Sequence, residues 1–504
     1  MVDRKIKNLK ILMIAPLFPE SFWSFKYLLK LIRKKAAFPP LGLLTVAAML
    51  PSHWVKKLID VNVEKLTNKD ILWADYVFIG AMLVQQKAAD EIIKRCKKLN
   101  RKIVAGGPLF TMEFKEYIDV VDHFVLNEAE ITLPLFLKDL KMGTPDKIYQ
   151  SNLFSDIKKT PVPLWELINL KKYASTSIQF SRGCPFFCDF CNVTTLFGRK
   201  IRQKTTDQII AELDIIYERG HRDSVFFVDD NFIGSTVSLK KSLLPALIKW
   251  KENHKSISFY TETSINIADD EELMKQMNLA GFDQVFIGIE TPSCLGLEES
   301  NKKQNRNRDL VSDIKKIQRN GIQVQAGFIV GFDSDTNSIF QQQIDFIQKS
   351  GIVTAMVGLL QAPPGTKLYD RLNLSNRLKK YISGDNSDGT TNIIPLTMNS
   401  DTLTDGYKHI LKKIYSPKNY YKRIKTFLNE YKYESSKEGL SFSRFLIFLR
   451  STFYLGIIGN ERYYYWKLLI WTFITRPKHF SMAVHLSILG FNFRKAVKKV
   501  VAKC

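Results

Sequence analysis

Residues 177–192, SIQFSRGCPFFCDFCN, join an apolar run to a loop that contains three cysteines. The run predicts a buried β-strand, and Cys184, Cys188 and Cys191 place three thiolates on the loop at its end. A structural zinc site closes its coordination with a fourth Cys or His, whereas a three-cysteine [4Fe–4S] cluster leaves one iron open to a small molecule. The next candidate ligand is the distant His221. The sequence therefore predicts a cluster at the three cysteines, with zinc as the alternative.

Further apolar runs follow the cysteine loop at regular spacing, with helical segments between them. Together with the run before the cysteines, the predicted strands are SIQFSRG (177–183), SVFFVDD (224–230), SFYTETS (258–264), QVFIGIE (284–290), QAGFIVG (325–331) and AMVGLLQA (355–362). Six β/α units at this spacing predict a partial TIM-like (β/α)6 barrel. The active site of such a barrel lies at the carboxyl ends of its strands, where the cysteine loop begins.

A second alternating pattern occupies the first part of the chain. Its predicted strands are ILMIAP (11–16), LIDVNV (58–63), YVFIGAM (76–82), IVAGGP (103–108) and HFVLNE (123–128). This pattern predicts a doubly wound parallel sheet, which binds ligands beyond the carboxyl ends of its strands. The candidate ligand-binding residues at those ends are Pro16, Phe18, Met82, Gln85, Gly106, Gly107, Pro108, Asn127 and Glu128. A plain strand-to-helix turn is the alternative interpretation of the Gly-Gly-Pro segment.

The fold class is thus predicted as α/β, in several domains, because 504 residues are too many for one compact domain. The expected organisation is a doubly wound domain at 1–145, a Pro- and Gly-containing linker at 146–171, the barrel at 172–390 and a helical C-terminal domain at 391–504.

The tail is basic, aromatic and helical in pattern. RFLIFLRSTFYLGIIG (444–459) and YYYWKLLIWTFI (463–474) mix Arg and Lys with large apolar residues, as an interfacial helix does. A buried helical cap on the barrel explains the apolar residues equally well. Both interpretations stay open at the level of the sequence.

The chain is strongly basic, with 74 Lys and Arg against 50 Asp and Glu and a formal net charge of +24. Such a charge favours an anionic partner, either nucleic acid or a lipid surface. Nucleic acid is not expected, because the aromatic residues lie in apolar helical runs and not on an RNA-binding motif. Without a signal-peptide pattern or an apolar stretch of ~20 residues, we expect a cytoplasmic protein, with peripheral contact at the inner face of the membrane as a possible addition.

The CxxxCxxC spacing, with the aromatic Phe190 before the last cysteine, resembles that of the radical S-adenosylmethionine (SAM) superfamily. The resemblance implies that the open iron chelates SAM and that an electron from the cluster cleaves SAM to a radical. That radical abstracts hydrogen from an unactivated carbon, which no ordinary side-chain base can do. A flavodoxin or ferredoxin type of electron donor is implied as a partner.

Polar residues and glycines at the ends of the later strands fit the same resemblance. The implied SAM-binding residues are Phe190, Asp229, Asp230, Asn231, Glu262, Ser264, Glu290, Gly327 and Gly331. Taken singly, each carboxylate is better explained as a solvated rim residue or a helix N-cap.

A resemblance to one branch of the superfamily covers nearly the whole chain. It is found in residues 22–51 and in AGGPLFT (105–111), NEAE (127–130), FVDDNFIG (227–234) and GFIVGFDSD (327–335). These segments resemble hopanoid C-2 methylases, bacteriochlorophyllide side-chain methyltransferases and archaeal tetraether-lipid ring synthases. The resemblance implies that the nine strand-end residues of the N-terminal domain bind cobalamin. Because the Asp-x-His-x-x-Gly motif is absent, it also implies cobalt without a histidine ligand.

The function implied is C-methylation of an unactivated carbon in a lipid or isoprenoid, hopanoid-like, substrate. The alternative is radical formation of a carbon–carbon bond or ring in a lipid. A non-catalytic cobalamin or iron–sulfur sensor is the third hypothesis, and the intact cysteine triad argues against it.

Overall fold

The structure is a computed structural model that describes residues 8–379, 382–432 and 442–503. The chain separates into two compact units whose segments alternate along the sequence. The first comprises Met1–Pro19, Lys35–Gly183 and Val193–His221, and the second comprises Glu20–Lys34, Cys184–Asn192 and Arg222–Cys504. The domain boundaries expected from the sequence stay predictions.

The first unit is built on a parallel sheet. Its strands are β1 (Lys10–Ala15), β2 (Val55–Asp60), β3 (Tyr76–Gly80), β4 (Lys102–Gly106), β5 (His123–Val125) and β6 (Ile148–Tyr149). They lie in the order β2-β1-β3-β4-β5-β6, and each neighbouring pair is parallel. The order reverses between β1 and β3, which is the switch point of a doubly wound sheet. The predicted doubly wound domain is therefore confirmed.

Helices connect these strands and cover the apolar sheet. They span Leu41–Met49, Asn68–Trp73, Gln86–Lys98, Pro108–Glu113 and Ala129–Met142, and two further helices of this unit, Val193–Phe197 and Thr206–Glu218, follow β6 in the chain. The helix Gln86–Lys98 buries Ala89, Ile92, Ile93 and Cys96 on one face, as residues spaced by three or four must. Burial raises the pKa of the Cys96 thiol to about 11, so this cysteine belongs to the core and is unreactive.

Two details of the first unit differ from the sequence prediction. The expected linker contains β6, a strand too short to show a periodic pattern. The strand expected at 177–183 is divided into β7 (Thr176–Ile178) and β8 (Ser181–Arg182), and β8 pairs antiparallel with β9 (Arg202–Gln203). The chain turns directly after β8 at Gly183, where φ is +97° and a Cβ atom would lie 2.7 Å from the Lys200 carbonyl oxygen.

The second unit contains five strands in parallel array, in the order β14-β13-β12-β11-β10. They are β10 (Val225–Phe227), β11 (Phe259–Thr263), β12 (Phe282–Glu290), β13 (Gln323–Val330) and β14 (Ala355–Leu359). The main helices between and after them are Leu244–Asn253, Glu271–Ala280, Cys294–Glu299, Leu310–Arg319, Ile339–Ser350 and Lys367–Leu374. Consecutive strands are neighbours, as in a β/α barrel, and the predicted α/β class is confirmed.

The chain ends in helices, as expected. They span Ser400–Ile414, Pro417–Glu430, Phe442–Ser451, Arg462–Thr475 and Phe480–Lys503, with a π-helical stretch at Thr452–Ile457. The fully buried guanidinium of Arg423 donates to the carbonyl oxygens of Ile414 (2.9 Å) and Val353 (3.1 Å), which joins these helices to the strand region. Within the described residues, no helix is both long and apolar enough to cross a membrane.

Candidate functional site

The three cysteines lie on the loop Cys184–Asn192 of the second unit, and all three are partly exposed. A turn in which the Cys191 N–H donates to the Cys188 carbonyl oxygen (3.1 Å) fixes the last two. The loop is held from outside through Asp189, whose N–H donates to Ser300 O (3.1 Å) and whose carbonyl accepts from Leu368 N (2.9 Å). Backbone contacts therefore hold the thiols in place independently of any cofactor.

The environment of the thiols fits an iron–sulfur cluster. Burial raises the pKa of the Cys184 and Cys188 thiols, so a metal must displace their protons to bind. The side-chain amide of Gln304 lies 3.8 Å from Cys188 Sγ and donates towards it, as donors to cluster sulfurs do. No three His, Cys, Asp or Glu side chains of the described segments could together hold a single ion. The cysteines of an iron–sulfur cluster each bind a different iron, so their sulfur atoms do not have to converge on one ion.

A buried ion pair lies beside the cysteine loop. Lys302 Nζ is 2.7 Å from Glu290 Oε1 and 6.0 Å from the centre of the Phe190 ring. Burial lowers the pKa of Lys302, but the charges of Glu290 and of the Cys188 thiolate raise it more, so the net shift is upward. Lys302 therefore supplies a permanent positive charge next to the thiols.

Sequence reasoning missed Lys302 and Gln304. Both lie in the polar stretch NKKQN (301–305), beyond the helix that follows β12, and no periodicity marks them. It also missed Gly288, where a Cβ atom would overlap Glu290 Oε1 and lie 2.8 Å from Lys302 Nζ. A glycine two residues before a strand-end carboxylate is the signal that could have indicated this pair.

The acidic residues predicted to bind SAM gather in the second unit. Asp229, Asp230 and Asn231 follow β10 directly, and the Asn231 side-chain oxygen accepts from Ser264 N (3.0 Å), which joins the ends of β10 and β11. Burial and the nearby charge of Asp230 raise the pKa of Glu262 to about 8, although Lys302 opposes the shift. Asp230, Glu262 and the Lys302–Glu290 pair therefore form one group of interacting acidic and basic side chains, while their contact with SAM stays a prediction.

Backbone geometry at the strand ends has its own requirements. Glu290 ends β12 with φ +66°, a left-handed conformation that is costly for a residue with a side chain. Gly331 has φ +109°, and its N–H donates to Asp335 Oδ2 (2.9 Å) in a turn. A Cβ atom on Gly327 would lie 3.1 Å from the Phe286 ring. Local packing alone thus explains both glycines, and their approach to adenine stays a prediction.

In the first unit, the loops after β1 and β3 are joined by Gln85. Its buried side chain donates to the Pro16 carbonyl oxygen (2.6 Å) and accepts from Met82 N (2.9 Å). Asn62 adds a second link, since it donates to Pro16 O (3.2 Å) and accepts from Phe18 N (2.9 Å). The structure therefore brings four of the predicted cobalamin residues together at the switch point and leaves the side chains of Phe18 and Met82 exposed.

The Gly-Gly-Pro segment is explained by its own turn. Gly107 has φ +87°, and a Cβ atom there would lie 3.1 Å from the Ala81 carbonyl oxygen. A Cβ on Gly106 would lie 2.8 Å from Val125 O, and Pro108 is the first residue of a helix, a position that suits proline. Contact of these residues with cobalamin stays a prediction.

Glu128 has partners within the first unit. Its carboxylate accepts two hydrogen bonds from Arg202 (2.6 and 2.7 Å) and one from Ser155 N (2.6 Å). Burial raises the pKa of Glu128, but Arg202 and Ser155 lower it more, so the carboxylate stays ionised. Glu130 forms a similar pair with Arg182 (2.7 Å). Sequence reasoning missed both arginines, which belong to the two-stranded sheet of β8 and β9.

Asn127, the remaining strand-end residue, has φ +60°, and its N–H donates to Thr111 Oγ1 (3.0 Å). Its contribution to cobalamin binding also stays a prediction.

A cavity of about 540 Å³ opens beside the switch point of the first sheet. It lies among the residues that follow β1 and β2 and the helix Gln86–Lys98, and its polar lining includes Lys35, Asn62, Glu64, Glu91 and Arg95. His123 begins β5, at the amino end of the strand, and its Nδ1 is 2.7 Å from Asp146 O, so it is not among the residues that line the cavity. The unit therefore offers space, polar groups and exposed apolar side chains at the edge where such sheets bind ligands.

Comparison with known proteins agrees with this geometry. The family model of the radical SAM superfamily matches residues 178–347, which include the cysteine loop. A second family model, a domain of unknown function (DUF4070), matches residues 366–504.

Two relatives and one solved structure cover most of the chain. An uncharacterized methyltransferase of Synechocystis sp. is 41% identical over 418 residues, 82% of this chain and 78% of that protein. The hopanoid C-2 methylase of Rhodopseudomonas palustris is 32% identical over 481 residues, 91% of this chain and 88% of that protein. The structure of the cobalamin-dependent SAM radical enzyme OxsB, with aqua-cobalamin and SAM bound, has the same fold, with a TM-score of 0.65 at 14% identity over 99% of this chain and 80% of that one. The chain belongs to the cobalamin-dependent radical SAM family and is a methyltransferase whose cofactors are a [4Fe–4S] cluster, SAM and cobalamin.

Proposed function

We propose that this methyltransferase acts on an unactivated carbon of a lipid or isoprenoid substrate of the hopanoid type. The observation that supports this substrate class is the 32% identity to a hopanoid C-2 methylase, which extends over 91% of the chain. In this proposal Cys184, Cys188 and Cys191 hold the cluster. The bound cofactors supply both a carbon-centred radical and the methyl group. A flavodoxin- or ferredoxin-type partner gives the electron that starts radical formation.

The residues of the second unit that would orient SAM are those around the cysteine loop. Asp229, Asp230, Asn231, Glu262 and Ser264 follow or end β10 and β11 and offer carboxylate, amide and hydroxyl groups for its polar parts.

Beside these residues, Lys302 of the Lys302–Glu290 pair has a positive charge that suits a carboxylate ligand. Phe190, Gly327 and Gly331 would form the apolar surface for the adenine. Because the group is largely shielded from water, each of these contacts is stronger than it would be in bulk solvent.

In the first unit, cobalamin would lie against the carboxyl ends of the sheet. Exposed Phe18 and Met82 offer apolar contact, and Gln85 holds their two loops in register. The backbone of Gly106, Gly107, Pro108 and Asn127 lies at the same edge, and Glu128 braces it through Arg202. No histidine of this edge is needed as a cobalt ligand in the proposal.

The test is a comparison of lipids from a strain that lacks the gene and from its parent, by mass spectrometry. We expect the parent to contain a lipid that is one CH₂ heavier than its counterpart in the deletion strain. The wild-type gene should restore this lipid, and a gene that encodes Cys188→Ala should not. If the parent lipid instead lacks two hydrogens, ring formation replaces methylation. If the lipids are identical, the proposed substrate class is wrong.

A further inference from the structure

The helix Arg462–Thr475 is apolar on two opposite faces. Tyr465, Leu468, Leu469 and Thr472 are buried in the second unit. The other face has a row of large exposed side chains at spacings of three and four residues, which places them on one side of the helix. These are Tyr463, Trp466, Ile470, Phe473 and Ile474. Within the described residues, the chain therefore covers only the face with Leu468 and Leu469. The outer face of a helix on a water-soluble protein is usually polar.

The preceding segment contributes a second row. Phe445, Leu449, Phe453 and Ile457 follow one another at intervals of four residues, and all are exposed. The two rows meet where the Trp466 indole N–H donates to the Gly456 carbonyl oxygen (3.0 Å). We call the combined area, whose members are each at least 41% exposed, the C-terminal apolar surface: Phe445, Leu449, Phe453, Ile457, Tyr463, Trp466, Ile470, Phe473 and Ile474. An area of this extent indicates an interaction site.

The segments that form this surface, and the helix that follows them, have almost only basic charges. Glu461 is the single acidic residue in the sequence from 442 to 503. It is buried and paired with Arg494 (2.6 Å), so it adds no negative charge to the exterior. Arg462, Lys467 and Lys478 are exposed on or next to the helix, and Lys467 lies 5.6 Å from the Tyr463 ring. Such long side chains can lie along apolar surface and direct their ammonium groups towards anions.

We propose that the C-terminal apolar surface binds the surface of an anionic lipid bilayer. Large apolar side chains with Trp and Tyr, bordered by Lys and Arg and without exposed acidic residues, are the composition of an element that lies in the membrane interface. The basic residues complement the negative charge of phosphatidylglycerol-type headgroups. This inference goes beyond the proposed function, because it holds whether or not the methylated compound is a hopanoid.

The test uses the full-length protein and vesicle flotation. Wild-type protein should float with vesicles that contain phosphatidylglycerol and phosphatidylcholine, and less with phosphatidylcholine alone. The double variant Phe473→Glu/Ile474→Glu should bind at least about tenfold more weakly, because two apolar side chains no longer enter the interface. The control is Leu279→Glu, which places one glutamate on an exposed leucine of the helix Glu271–Ala280 and should bind as wild type does. Raising the salt concentration should weaken the anionic-vesicle binding of wild type.

Three outcomes would overturn the proposal. The C-terminal apolar surface does not bind a bilayer if wild-type protein fails to float with anionic vesicles at low salt. The same conclusion follows if the double variant floats as well as wild type does. A wild-type dimer that does not float, and that the double variant converts to a monomer, identifies a second copy of this chain instead. SAM cleavage in detergent is measured on both variants and should equal that of wild type, which shows that each variant is folded and has an intact cluster site. Vesicle binding and the lipid comparison can therefore fail independently.

Discussion

The cysteine triad is the part of the site that its residues identify most completely. Three thiolates within eight residues form one local unit, so their chemistry can be inferred from spacing alone. Lys302 and Gln304 belong to the same environment but are more than a hundred residues away in the sequence. Only the fold brings them to the thiols, and their spacing from the cysteines in the sequence does not indicate this contact.

We predict that Cys184, Cys188 and Cys191 act as one unit. Replacing any of them with Ala should abolish cluster assembly and SAM cleavage, because a cluster with two protein ligands is not retained. Iron and sulfide analysis and 5′-deoxyadenosine formation measure the two effects. Cys294→Ala is the control, since this exposed cysteine should leave the iron content unchanged. Loss of the cluster in Cys294→Ala would contradict the three-ligand assignment.

The acidity of Glu262 gives a pH prediction for the cofactor-free chain. Its pKa rises from 4.5 to about 8 on folding because burial and Asp230 disfavour the charged form. The neutral acid is therefore favoured by the fold, and its contribution to stability is complete below pH 4.5 and is lost as the pH rises through about 8. Glu262→Gln resembles the neutral acid at every pH. It should unfold at nearly the same temperature as wild type at about pH 4 and at a higher temperature at about pH 9. An equal difference in unfolding temperature between the variant and wild type at both pH values would contradict the raised pKa of Glu262.

Lys302 allows a prediction on the cluster itself. Lys302→Gln removes the positive charge near Cys188 and Cys191 and should lower the reduction potential of the reconstituted cluster, because reduction adds a negative charge. The potential would be measured by a redox titration monitored by electron paramagnetic resonance. Lys303→Gln, the next residue along the chain, is the control. A potential that does not change in Lys302→Gln would show that its charge does not reach the cluster.

Among the secondary-structure elements, long strands were predictable and short ones were not. The alternation of apolar runs identified β1 to β5 and β10 to β14, because each buried strand is apolar along most of its length. β6, β8 and β9 have only two residues each, so none of them shows a pattern of apolar residues in the sequence. They form because hydrogen bonds and ion pairs from distant segments hold them.

The stability of the two-stranded sheet of β8 and β9 depends on the buried pair between Arg202 and Glu128. Arg202→Met should lower the free energy of unfolding of the first unit by about 3–5 kcal/mol, since it leaves an uncompensated buried carboxylate. The double variant with Glu128→Gln should recover most of the loss. Urea denaturation measures the effect. The control, Arg219→Met, breaks an exposed pair with Glu166 and should cost less than about 1 kcal/mol. Equal losses in the two single variants would contradict the importance of the buried pair.

The C-terminal helices illustrate what sequence patterns cannot separate. A basic, aromatic helix is consistent with both a buried cap and an interfacial element, because composition does not tell which face the rest of the chain covers. In the structure, Leu468 and Leu469 are buried while Ile470 and Phe473 are exposed on the same helix. The buried face fits a helical cap, whereas the interfacial interpretation concerns the exposed face and stays a prediction.

For the molecule as a whole, two sheets and a helical tail provide one unit with a cobalamin-type fold and one with the cluster loop. The α/β class followed from the sequence, whereas the division into domains stays a prediction. The finer assignment of cobalamin and SAM contacts did not, because residues such as Gly107, Gly331 and Glu128 are also required by their own turns and ion pairs.

Methyl transfer itself can be measured with SAM that carries a deuterated methyl group. The full-length protein would be reconstituted with iron, sulfide and cobalamin and given a reductant and a lipid extract of the deletion strain. We predict that one deuterated methyl group replaces one hydrogen in a lipid of that extract, that 5′-deoxyadenosine forms with it, and that Cys188→Ala yields neither. A lipid that loses two hydrogens without gaining label, or formation of 5′-deoxyadenosine with no labelled lipid, would contradict a lipid C-methyltransferase.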